Sequence, residues 1–184
     1  LTNAQARVER AARDAARLAE EQGRLGNEAD LTAAKQAAEH AVATFKQQTA
    51  EGLAALETVE TERASLIAAR DAGVKRVVFA SSNHVTGFYK QSETITADHP
   101  ARPDSYYGVS KAFGEALGAL YAEKFGLRIT NIRIGNVALA PVDRRRLAIW
   151  LHPDDLFQLI GISLNHPDIH YETFWGMSDN KRAW

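Results

Sequence analysis

Two hydrophobic rhythms divide the chain. Over roughly the first 64 residues, apolar positions recur at spacings of three and four. Leu31, Ala34, Ala38, Val42, Phe45, Leu53, Leu56 and Val59 fall on one stripe, the mark of an amphipathic helix. From Arg76 onward, short β-branched and aromatic runs alternate with helical patterns. Strands are predicted at Arg76 to Ser82, Ile129 to Gly135 and Tyr171 to Trp175, and helices near Tyr107 to Phe125 and Pro153 to Leu164. Such βαβ alternation implies a parallel sheet with right-handed crossovers, whose C-terminal strand ends carry the site.

The first 62 residues hold no proline, tryptophan or tyrosine and are crowded with Ala, Glu, Gln and Arg, residues that cost little in a helix. Two helices are predicted, Asn3 to Gln22 and Asp30 to Ile67, joined through Gly23 to Ala29 and with an interruption at Gly52. A further helix, Ala64 to Ala72, feeds the first strand and ends at Gly73, where a left-handed cap is cheap. Alanine buries little area, so the apolar stripe is expected to pack on the second half or on another subunit. The expected organisation is an Ala-rich helical segment over 1–64, followed over 65–184 by an α/β domain with a partial parallel sheet.

Charge narrows the range of partners. A formal net charge of −1 over 184 residues favours neither nucleic acid nor an anionic membrane surface. Cysteine is absent, which removes disulfides, thiolate zinc sites and cysteine nucleophiles together. No stretch has the length of a bilayer span or the pattern of a signal peptide. A cytoplasmic protein is the expectation.

Candidate chemistry begins with Tyr107-Gly-Val-Ser-Lys111. Residues four apart on a helix share a face, so Lys111 can stabilise the phenolate of Tyr107 and make it a base near neutrality. By itself this spacing also fits an exposed helix with a snorkelling lysine. Ser81 and Ser82, at the end of the first predicted strand, strengthen the catalytic reading, because open α/β sheets bind ligands there.

The run Ala72 to His84, then Arg102-Pro-Asp-Ser-Tyr-Tyr-Gly-Val-Ser-Lys-Ala-Phe-Gly-Glu115, resembles the extended short-chain dehydrogenase/reductase family, also called the NAD-dependent epimerase/dehydratase family. Within it the resemblance is nearest to the uronate dehydrogenase branch. It continues through Arg133-Ile-Gly-Asn136, Arg144 to Trp150, Asp154-Asp-Leu156 and Trp175-Gly-Met-Ser178, covering about residues 65 to 184. The resemblance implies a Rossmann-type fold and NAD-dependent oxidation of the C1 hydroxyl of a sugar acid to a lactone. It implies Tyr107 as base, Lys111 as its activator and as a ligand of the nicotinamide ribose, and Ser82 as the group that orients the substrate hydroxyl. Asn83, His84 and Asn136 would hold the sugar, and Arg145 its carboxylate. Asn136 departs from the serine usual there, which points to a different preferred sugar. Members of the family commonly associate through the tyrosine-bearing helix, so a homo-oligomer is expected.

Family members also open with a glycine-rich turn that holds the dinucleotide pyrophosphate. The only glycines before Gly73 are Gly23, Gly26 and Gly52, and no strand precedes them. Members usually run on past the position of Trp184, so both ends are expected to be incomplete and NAD-dependent activity impaired. Two other readings stay open. One is a noncatalytic interaction protein built on a dehydrogenase remnant, the other a nucleotide-sugar epimerase or dehydratase using the same tyrosine and lysine.

Other features have simpler readings. His166 and His170 show metal-pair spacing, but Pro167 between them argues for a loop, and no metal is assigned. His152-Pro-Asp-Asp155 reads as a helix start. Trp150, Trp175 and Trp184 read as core or subunit-contact residues. Arg133, inside an apolar strand, must find a partner on folding or sit at the strand end, and a structural ion pair is expected.

Overall fold

The computed structural model describes the backbone of residues 2–25 and 28–180. Gly26 and Trp184 lie outside the described residues. In chain order the elements are α1 (Thr2–Leu25), α2 (Glu28–Asp71), β1 (Arg76–Ser82), α3 (Tyr106–Phe125), β2 (Arg128–Ile134), β3 (Asn136–Val137), α4 (Arg144–Ala148), β4 (Trp150–Leu151), α5 (Pro153–Asn165) and β5 (Tyr171–Gly176). A 3-10 turn, Asn83–Thr86, follows β1. The chain forms two compact units, 1–49 and 50–184.

Helix α1 ends at Leu25 and α2 begins at Glu28, inside the connection expected from Gly23 to Ala29, but the interruption expected at Gly52 does not occur. Gly23 lies inside α1, and Gly52 lies inside the continuous 44-residue α2, which also absorbs the separate helix expected at Ala64 to Ala72. One interior glycine costs about 1 kcal/mol against alanine, too little to interrupt a helix flanked on both sides by strong helix formers. Threonines within α2 remain satisfied by bonding back one turn, as Thr58 and Thr61 do to the carbonyls of Ala54 and Glu57 at 2.9 Å. The helix ends where expected, with Gly73 at φ 68°. Of its apolar stripe, Leu31, Val42, Phe45, Leu53 and Leu56 are exposed within this chain, Phe45 to 70%.

In the second unit the three long strands pair in parallel in the order β1-β2-β5, with Ser82 opposite Ile134 and Ile134 opposite Gly176. The predicted strands match these to within a residue or two. The short β3 and β4 form a separate parallel pair. Ser105 caps α3, its hydroxyl accepting from the Gly108 amide at 3.1 Å, as Ser favours at this position. His152 caps α5 with Pro153 in the first turn, the helix start read from the sequence. His166 stands just past the end of α5, where its Nδ1 accepts from the Asp168 amide at 3.3 Å.

The core joins three elements through Leu66 of α2, Tyr121 of α3 and Ile129 of β2, with Leu127 just before that strand, and Ile67, Val77, Leu117 and Tyr171 packed around them. Full burial of each large apolar side chain contributes about 1.5–3 kcal/mol. Beside this small core lies a polar one. Arg133 meets Glu115 in a two-pronged pair, Nε to Oε1 at 2.9 Å and Nη2 to Oε2 at 2.8 Å, with both side chains under a tenth exposed. The Ser81 hydroxyl donates to Glu115 Oε1 at 2.5 Å, and Arg133 Nη1 donates to the Ala97 carbonyl at 3.1 Å. The Tyr171 hydroxyl donates to the Glu115 carbonyl at 2.8 Å. One cluster therefore fastens β1, β2, β5, α3 and the loop before α3.

Removing one partner of such a pair strands the other as a buried charge. Glu115→Ala is expected to destabilise the second unit by about 3–5 kcal/mol, read as a shift of the urea midpoint. A loss under about 1 kcal/mol would contradict this account of the cluster. Tyr171 gives a pH test. Burial raises its phenol above the usual 10.0, with the Glu115 charge adding to the rise. A raised acid contributes stability that is complete below its unfolded value and is lost as pH climbs through the folded one. The stability gap between wild type and Tyr171→Phe is expected to hold at neutral pH and to narrow above about pH 10. A gap that stays constant into strong alkali contradicts it.

Candidate active site

A cleft of about 370 Å³ opens beside the C-terminal end of β1 and is lined by Ser82, Asn83, His84, Tyr107, Asn136 and Arg145, together with Gly135, Asp143, Arg146 and Ile149. Six of the seven residues singled out in the sequence thus line one cavity. A smaller cavity of about 150 Å³ shares Asn83, His84, Arg145 and Ile149 with it and reaches Trp175 and Met177. Parallel pairing explains the convergence, because β1 and β2 deliver Ser82 and Ile134 side by side, and the segments following each strand face one another across the sheet end.

Ser82 is buried, and its hydroxyl accepts from the His84 amide at 3.2 Å, closing the 3-10 turn. The turn aims His84 at Asp104, with Nδ1 to Oδ1 at 2.8 Å. A neutral imidazole donating from Nδ1 keeps Nε2 as an acceptor. The backbone fixes this alignment, since Arg102 N bonds Val85 O at 2.8 Å and Phe88 N bonds Arg102 O at 3.0 Å. The His84 ring stands edge-on to Tyr107 with centroids 5.9 Å apart. Tyr107 is half exposed, so its hydroxyl is open to a ligand.

Among the three consecutive arginines the structure distinguishes roles that spacing leaves open. Arg146 bonds Asp143 at 3.0 Å, and Arg144 lines neither cavity. Arg145 lines both, and among the described residues no ion pair engages it. Asn136 is held by its backbone, which donates to the Ile149 carbonyl at 2.6 Å.

Lys111 does not line the cleft. Its ammonium lies 5.8 Å from the Tyr107 ring centroid and donates to Glu62 Oε1 at 2.8 Å. Two residues of this neighbourhood were not foreseen. Asp104 stands in the quoted motif just before the α3 cap, where an acid near a cleft histidine was a readable signal. Glu62, 49 positions from its partner and one of many charged residues in its helix, offered none.

Sequence comparison matches residues 36–151, more than half of the chain, to a family described as the NAD dependent epimerase/dehydratase family. The chain belongs to this family. Within the epimerase/dehydratase family, it is 51% identical over 117 residues to a uronate dehydrogenase of Pseudomonas syringae pv. tomato, covering 64% of this chain and 42% of that protein. Solved relatives include glucuronic acid dehydrogenase from Chromohalobacter salexigens, with TM-score 0.63 at 43% identity over 65% of this chain and 45% of that one. Another is a mutant uronate dehydrogenase from Agrobacterium tumefaciens complexed with NAD, with TM-score 0.62 at 44% identity over 64% and 44%. The chain spans less than half the length of each. These neighbours support the Rossmann-type reading of the parallel sheet. Among the described residues, no helix is long and apolar enough to cross a membrane.

Proposed function

We propose that the cleft oxidises the C1 hydroxyl of a pyranose sugar acid to a lactone, as part of an NAD-dependent dehydrogenase. The observation that carries this reading is the convergence of Ser82, Tyr107 and Arg145 on one cavity, in a chain 44–51% identical to three uronate dehydrogenases over the segment they share. Tyr107 takes the hydroxyl proton on its phenolate oxygen as the C1–H bond breaks. Ser82 donates to the same substrate oxygen and stabilises the charge that develops there. His84, braced by Asp104, and Asn83 bond the sugar hydroxyls. Arg145 offers a planar fork to the carboxylate, the geometry in which a guanidinium outperforms an ammonium.

NAD supplies the hydride acceptor when bound. The residues present fit its nicotinamide ribose: an ammonium has three N–H donors, and the described bond to Glu62 occupies one at Lys111. For the pyrophosphate, residues 1–184 contain no glycine-rich strand-turn-helix, so the affinity of this segment alone is expected to be low and its turnover weak. The bulkier Asn136 sets which uronate is preferred.

Formation of reduced nicotinamide, followed by absorbance with galacturonate and glucuronate at high NAD, tests the proposal. Wild-type turnover that falls about 10²–10⁴-fold in Tyr107→Phe is expected, the range for a positioned acid-base group. Turnover that survives Tyr107→Phe, or none with either sugar acid, would sink it.

A further inference from the structure

We infer that Glu62 restrains Lys111, holding its ammonium and neutralising its charge so that the lysine acts on Tyr107 or on a bound ribose only to the extent that this carboxylate releases it. The functional consequence rests on the dehydrogenase reading; the restraint itself does not.

Four observations build the contact. Glu62 and Lys111 meet at 2.8 Å with side chains only 12% and 14% exposed, so the pair is screened by little water and is stronger than a surface pair. Glu62 precedes the core residue Leu66 by one helical turn, which puts the carboxylate on the face of α2 that packs inward. Lys111 Nζ also lies 5.0 Å from the Phe79 ring centroid, a cation–π contact that fixes the ammonium from a second side. Space for the carboxylate comes from Gly114, one turn beyond Lys111: a Cβ there would stand 2.6 Å from Glu62 Oε2 and would also meet the Phe79 ring. That same Oε2 is buried and has no hydrogen-bond partner. A buried carboxylate oxygen left unpaired is costly, so lysine and fold hold Glu62 here against its own solvation.

The consequence follows from charge. An isolated ammonium near a phenol favours the phenolate, and a carboxylate in contact with that ammonium cancels most of its field. Glu62 is therefore a positioning residue that acts through Lys111 and touches no reacting atom.

Competitive acylation with acetic anhydride, read by peptide mass spectrometry, tests the restraint without any cofactor. The exposed Lys75 and Lys90 serve as internal references. In the wild type Lys111 is expected to react more slowly than either. Glu62→Gln should speed its acylation several-fold, Glu62→Asp less so, and Gly114→Ala should speed it by displacing both the carboxylate and the Phe79 ring with no change of charge. Circular dichroism confirms that each variant is folded. A Lys111 rate in Glu62→Gln and Gly114→Ala equal to wild type overturns the inference. Titration with nicotinamide mononucleotide reports separately on the functional reading, with tighter binding expected in Glu62→Gln than in wild type. If acylation responds as described while no variant binds the nucleotide, the restraint stands and the dehydrogenase reading falls.

Discussion

The second unit is organised around a buried charge pair. Arg133 in the central strand is buried between Ile132 and Ile134 of its own strand, and only a full set of partners makes its burial tolerable. Glu115 supplies two of them, and it in turn takes the hydroxyl of Ser81, whose neighbour Ser82 opens the candidate site. Because α3 carries Glu115 on the same helix as Tyr107 and Lys111, satisfying Arg133 also fixes where those two residues stand against the end of β1. Packing alone would leave α3 weakly registered, since the apolar cluster it joins comprises few residues. The polar cluster provides the register, and the position of the site follows from it.

Much of this was legible before any coordinates. Short strand-like runs alternating with helical patterns point to a parallel sheet, because parallel neighbours need a crossover connection of helix length. Arg133 announced its ion pair by sitting in an apolar run, although its partner was not identifiable. Of the six side chains now found around one cleft, Tyr107 and Ser82 were readable from helical spacing and a strand end, while Asn83, His84, Asn136 and Arg145 came only from the family resemblance. Tertiary context decided the rest. Gly52 looks like a helix break, but about 1 kcal/mol for one glycine does not outweigh long flanking helices. The apolar stripe of α2 called for a cover on the second half or on another subunit, yet a side chain's hydrophobicity does not specify which, and Phe45 is exposed within this chain. Glu62 had no local signature at all, since its meaning comes only from Lys111, far along the chain.

The chain belongs to the epimerase/dehydratase family, and the chemistry proposed for it rests on what the cleft brings together. A base candidate, a hydroxyl donor and a guanidinium surround one cavity, with a histidine braced by an acid between them. The restrained lysine adds a feature that the motif pattern does not contain. The most direct test of the site is calorimetric titration of wild type, Arg145→Ala and Arg144→Ala with galacturonate. Saturable binding that weakens about 10–100-fold in Arg145→Ala, the range for a lost charge-assisted pair, and is unchanged in Arg144→Ala, is what the account predicts. Absence of wild-type binding, or equal effects of the two substitutions, would contradict it.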